Sequence, residues 1–169
     1  MYQLIYNQDQ KPDRFLLNLS KDGWKIIYLK RNNILRQAIS RMVAKSKNKW
    51  HTTLTEKKVK SSQKDSKVHI NCDELFQEMK NGEMYLSMEK KTLDQLEITY
   101  ITIVYEDDLL PENKQQQTMD IIFDYLSLPS VLVKTNLVRT TSDNMSDFIE
   151  NYDELVKIIS RTKYAKFLC

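Results

Sequence analysis

Apolar residues in this chain follow a helical period over most of its length and a strand-like pattern in two places. Phe15, Leu16 and Leu19 share one side of a short helix over 13–20, and Gly23 can close it in the left-handed conformation that glycine tolerates best. Residues 25–29 form a compact apolar run without alternation, the pattern of a buried parallel strand. Ile34, Leu35, Ala38, Ile39, Met42 and Val43 then recur in pairs every four residues, which predicts a helix with one apolar face. A strand followed directly by an amphipathic helix is the building unit of a parallel α/β sheet.

Beyond that helix, KKVKSSQKDSK (57–67) is polar and aperiodic, and reads as an exposed lysine- and serine-rich loop. Asn71 and Glu74 have the spacing of a capping pair and open a helix through Leu96, with Gly82 weakening its middle or dividing it. ITYITIVYE (98–106) is the richest β-branched and aromatic run and predicts the second strand. A helix follows Pro111, with Met119, Ile122, Phe123 and Leu126 on its apolar face and Pro129 as its stop. A last helix spans about 145–160 with Phe148, Ile149, Tyr152, Leu155, Val156 and Ile159 facing inward, and there is room for a short strand before it. Two strong strands are few for an independent parallel sheet, so the pattern predicts a single but incomplete α/β domain over 1–169.

Composition narrows the class. The 169 residues, 41% hydrophobic and 29% charged, suit one globular domain. No apolar run approaches the roughly 20 residues that cross a bilayer. The opening MYQLIYNQDQKPDR lacks the basic-then-apolar order of a secretory signal. Cys72 and Cys169 lie far apart, without metal-ligand or redox spacing, and a reducing cytoplasm is the expected location. Gly23 and Gly82 are the only glycines, too few for a glycine-rich phosphate loop. Charge is uneven: 21–67 holds fourteen Lys or Arg against three Asp or Glu, whereas the whole chain is only +3. The basic part therefore either meets an anionic partner or is a solvated face with a lysine-rich loop.

The candidate chemistry gathers in IIYLKRNNILRQAIS (26–40). Lys30 and Arg31 stand where the strand hands over to the helix, and ligands of open α/β sheets gather beyond the carboxyl ends of strands. A helix start adds N–H groups and the positive end of its dipole. Asn32 or Asn33 can cap it, and Asn33, Arg36 or Gln37, and Ser40 then fall along one face. Arg31 would bring a forked permanent cation and Ser40 a hydroxyl donor, a pair suited to a phosphate monoester.

YLKRNNILRQAIS, with Trp50 and His51 ten residues on, resembles a motif of the sulfotransferases that use 3′-phosphoadenosine 5′-phosphosulfate (PAPS), above all the bacterial sugar-modifying type, including the trehalose sulfotransferases. That type carries an Arg, an Asp or Asn two residues later, then Gln-Ala-x-Ser. VYEDDLL (104–110), IIFDYLSLP (121–129) and NYDELVKII (151–159) resemble the closing segments of the same family. The resemblance implies a P-loop-like α/β fold, PAPS as co-substrate without a metal, and a hydroxyl acceptor, in this branch a carbohydrate. It implies that Arg31 and Ser40 bind the nucleotide's 3′-phosphate, with helix N–H groups near Asn33 assisting. Many other sulfotransferases place the arginine eight residues before the serine, where this chain has Asn32. Nothing before Lys25 resembles the family's N-terminal phosphosulfate loop, so the expectation is the C-terminal portion of such an enzyme, inactive alone. No catalytic base is assigned.

Other residues carry weaker signals. His51 beside Trp50 is a substrate-contact candidate; His69 has no partner nearby in sequence. Glu106, Asp107 and Asp108 cluster at a strand end, suited to acid–base work or to shaping the fold, and Arg139 is a late phosphate candidate or a solvated cation. No carboxylate, His or Cys group has metal-ligand spacing. A nucleic-acid-binding module is the alternative for the basic segment, although it lacks interleaved stacking aromatics. A third reading is a domain completed at an exposed sheet edge by a partner or a second copy.

Overall fold

The computed structural model describes residues 11–53, 55 and 66–168. Most of the predicted loop at 57–67 lies outside them, and only Ser66 and Lys67 are described there, as coil. The fold is mixed α/β with a small parallel two-stranded sheet. The elements run α1 (Pro12–Lys21), β1 (Ile26–Lys30), α2 (Ile34–Ser46), β2 (Thr52–Thr53), α3 (Cys72–Leu96), β3 (Tyr100–Val104), a π turn (Tyr105–Leu109), α4 (Glu112–Tyr125), β4 (Leu137–Val138) and α5 (Tyr152–Ile159). The chain forms two compact units: residues up to Asn32 with Asn81–Val133, and Asn33–Lys80 with Lys134 to the end.

The first unit is built on β1 and β3, paired in parallel from Ile26↔Tyr100 to Lys30↔Val104. Tyr125 on α4 ties both strand starts, its hydroxyl accepting from the Ile26 N–H at 3.3 Å and donating to the Thr99 carbonyl at 3.2 Å. Trp24 N–H closes α1 by donating to the Leu19 carbonyl at 3.0 Å across Gly23, whose φ of 81° is the left-handed value expected there. The expectation of a buried β1 needs correction: the strand is parallel, but Ile27 and Leu29 are exposed. Ile103, level with Leu29 on β3, is buried. Cover on that face reaches β3 and stops short of β1.

Pro129 is not the stop of α4. The helix ends earlier, where Ser127 takes a φ of 58° and the Leu128 N–H donates back to the Phe123 carbonyl at 2.8 Å. Gln116 then holds the outgoing chain, donating to the Val131 carbonyl at 3.1 Å and accepting from the Val133 N–H at 3.0 Å.

The second unit holds most of the buried side chains. Ile34, Leu35, Ala38, Ile39 and Val43 on α2 are buried as their spacing predicts, with Leu75, Met79, Leu155, Ile159 and Tyr164. Asn71 caps α3, accepting from the Glu74 N–H at 3.0 Å. That helix runs unbroken past Gly82, because the roughly 1 kcal/mol that glycine costs is small against a long packed helix. The predicted helix over 145–160 is interrupted. A 3-10 turn (Met145–Asp147) precedes it, and α5 begins only at Tyr152. Between them the chain bridges to Val68, whose N–H donates to the Phe148 carbonyl at 2.8 Å and whose carbonyl accepts from the Glu150 N–H at 3.0 Å. Asn151 extends the pairing with its side chain, accepting from the Ile70 N–H and donating to the Ile70 carbonyl, both at 3.0 Å. Backbone groups engaged by another segment cannot also complete helical turns.

Candidate functional site

The parallel register decides what surrounds Arg31. Lys30 is level with Val104, so the residues after each strand, Arg31 and Tyr105, leave the sheet side by side. The π turn then swings Glu106 back toward the end of β1. It is closed by the Leu110 N–H donating to the Tyr105 carbonyl at 2.8 Å, and Asp108 braces it by accepting from the Val104 N–H at 2.6 Å.

Arg31 lies over an aromatic face, its guanidinium carbon 4.2 Å from the centre of the Tyr105 ring. Its Nε is buried and stands 3.6 Å from Glu106 Oε1, beyond hydrogen-bond reach. Glu106 Oε2 accepts from the Asn32 N–H at 2.8 Å. One carboxylate thus takes a guanidinium on one oxygen and a backbone N–H on the other. This is a seat for an oxyanion, filled by a side chain of the chain itself.

The two units meet in sequence between Asn32 and Asn33, so Arg31 belongs to the first and Asn33 and Ser40 to the second. Asn33 is the cap of α2: its Oδ1 accepts from the Arg36 N–H at 2.9 Å, and its Nδ2 donates to the Phe167 carbonyl at 3.5 Å. Ser40 stands two turns into α2, half-buried, its hydroxyl without a hydrogen bond among the described residues. Arg36 is engaged elsewhere, donating to the Ser142 carbonyl and resting 5.5 Å from the Phe148 ring centre.

The remaining candidates separate clearly. His51 is exposed just before β2. His69 does have a partner, distant in sequence: Glu150 Oε2, 3.7 Å from its Nδ1, with both side chains largely in solvent. Arg139 pairs with Asp143 one turn later. Of the acidic trio, Glu106 holds Arg31, Asp108 braces the π turn and Asp107 is exposed. Burial, then Glu154 and Asp73, push the Cys72 thiol up, the opposite of an activated nucleophile. Among the described residues no group of His, Cys, Asp and Glu has the geometry to hold a metal ion, and no helix is long and apolar enough to cross a membrane.

Sequence reasoning placed Glu106 at a strand end but missed its tie to Arg31, and missed Tyr105 beneath the guanidinium. Neighbouring parallel strands with both carboxyl ends charged, Lys30-Arg31 and Glu106-Asp107-Asp108, were the available signal. No family model, curated protein or solved structure matches the chain.

Proposed function

We propose that the carboxyl end of β1 binds the 3′-phosphate of an adenine nucleotide and that the chain is a member of the PAPS-dependent sulfotransferases, in its sugar-modifying branch. The observation that carries this reading is the oxyanion seat at Arg31 and the Asn32 N–H. A phosphate monoester offers the same acceptor geometry as the Glu106 carboxylate, with more charge. The position also fits, since anionic ligands of parallel α/β sheets collect at strand carboxyl ends. The motif resemblance gives Arg31 and Ser40 to this phosphate, with N–H groups near the Asn33 cap assisting, and gives the reaction: transfer of a sulfuryl group from PAPS to a hydroxyl acceptor, here a carbohydrate. A P-loop-like sulfotransferase sheet and a cytoplasmic location belong to the same proposal.

Calorimetric titration with adenosine 3′,5′-bisphosphate, against 5′-AMP, tests it. The bisphosphate should bind preferentially, and Arg31→Ala should remove about 1.5–3 kcal/mol of that preference, the usual worth of a hydrogen bond to a charged group. Equal binding of both nucleotides, or a preference untouched by Arg31→Ala, refutes the assignment.

A second reading has its own observation: Ile27 and Leu29 lie exposed on β1 beside a covered β3. A strand from a partner or a second copy could complete this sheet. Concentration-dependent sedimentation that Leu29→Lys abolishes would support it; a monomer at all concentrations would remove the second-copy form.

A further inference from the structure

We infer that Glu106 is a built-in competitor for the oxyanion seat at Arg31, so that an incoming phosphate must displace this carboxylate to bind. The inference rests on the phosphate-binding reading above and adds its regulation. Both donors that define the seat are occupied by one side chain: the Arg31 guanidinium faces Glu106 Oε1 at 3.6 Å, and the Asn32 N–H donates to Oε2 at 2.8 Å. A dianionic phosphate cannot share these donors with a carboxylate at contact distance, because the like charges repel strongly when partly withdrawn from water.

Two features suit Glu106 to leaving. Its hold on the cation is loose, since the buried Arg31 Nε makes no hydrogen bond and the 3.6 Å separation is wider than a charge-assisted bond. Arg31 also does not depend on Glu106 for its position, because the Tyr105 ring supports the guanidinium from beneath at 4.2 Å. The cation therefore stays in place when the carboxylate swings out. The π turn supplies the pivot, braced at Asp108 rather than at Glu106. The seat is thus closed to weak single-point anions and open to ligands that bring further contacts to offset the displacement.

The experiment titrates the wild type, Glu106→Gln, Glu106→Ala and Asp107→Asn with inorganic phosphate, adenosine 3′,5′-bisphosphate and 5′-AMP, with thermal melts to show that each is folded. Glu106→Gln keeps the shape and an acceptor for the Asn32 N–H while removing the charge. Asp107→Asn makes the same charge change at the exposed neighbour. Glu106→Gln should bind both phosphate and the bisphosphate about tenfold more tightly, the scale of one displaced charge-assisted contact. Glu106→Ala should show the gain too, Asp107→Asn less than about a third of it, and adding Arg31→Ala should abolish it. Equal gains in the Glu106 and Asp107 variants would overturn the inference, since charge alone would then account for them. So would no gain in either Glu106 variant, whether or not the wild type binds. A gain for phosphate without preference for the bisphosphate over 5′-AMP would support the competitor and sink the nucleotide reading. The preference without a gain would do the reverse.

Discussion

Leu29 and Leu35 are six residues apart in the sequence, and both lie in apolar stretches of similar strength. In the first unit Leu29 on β1 is 56% exposed; in the second, Leu35 on α2 is completely buried. The contrast extends to their surroundings. Among the described residues of the first unit, Leu93, Thr118 and Ile103 are buried, while Trp24, Ile27, Ile121, Leu128 and Leu132 are in the open. The second unit buries side chains from α2, α3, α5 and the segments between them. A helix needs only one covered stripe, and neighbouring helices supply it. A parallel strand needs partners at its edges and a layer on each face, and a two-stranded sheet provides few of these. The candidate oxyanion seat sits at the end of that thinly covered sheet.

The largest test of this contrast is a matched pair of truncations. Leu35→Ala should lower unfolding free energy by about 2–5 kcal/mol, and Leu29→Ala by less than about 0.5 kcal/mol, in urea titrations followed by circular dichroism. A Leu29 cost close to that of Leu35 would mean that β1 is covered in solution.

Asn151 probes the second unit from its polar side. Its side chain supplies both hydrogen bonds to the Ile70 backbone, so Asn151→Ala leaves an N–H and a carbonyl near the core without partners. A loss of about 1–3 kcal/mol in the same titration is expected. A neutral substitution would mean that water replaces the amide, and that this edge of the core is wetter than the burial of neighbouring Ile70 implies.

Tyr28 sharpens the first unit's side. Its hydroxyl donates to Glu89 Oε2 at 3.1 Å, and burial, followed by the Glu89 charge, raises its pKa well above the ordinary 10.0. A raised folded-state pKa means that the folded chain keeps a proton that the unfolded chain sheds. This contribution is fully present below about pH 10 and is lost as pH rises above it. Tyr28→Phe should cost about 0.5–1.5 kcal/mol at neutral pH and flatten the alkaline fall in melting temperature above about pH 10. An unchanged alkaline limb would place that fall on other groups.

The smallest effect is a gain. Beyond the end of α4, Ser127 closes the turn with a φ of 58°, a conformation that costs most side chains about 1 kcal/mol and costs glycine little. Ser127→Gly should raise stability by about 0.5–1 kcal/mol, read as a shift of the thermal midpoint. A loss would show that the Ser127 backbone is held more firmly than its φ suggests.

Much of this architecture was legible along the chain. α1, α2 and α4 follow from apolar spacing, and α3 with its Asn71 cap and the Gly23 closure from residue chemistry, because these depend on neighbours within about four residues. The two strands were legible as strands for the same reason. Arg31 and Asn33 were legible as residues at a strand end and a helix start, because position in the local pattern is enough to place them.

Only tertiary structure decided the rest. That β1 is parallel to β3 yet open on one face depends on what lies beside it, and apolar content cannot report that. The break before α5 arises because Val68, some eighty residues earlier, engages the backbone at Phe148 and Glu150 that a helix would use, while Ile70 holds the Asn151 side chain. Glu106 was visible as an acid at a strand end, but its hold on Arg31 and the Asn32 N–H follows from the strand register and one π turn. Charges 75 residues apart in sequence interact by their separation in space, and the pairing of two five-residue strands sets that separation.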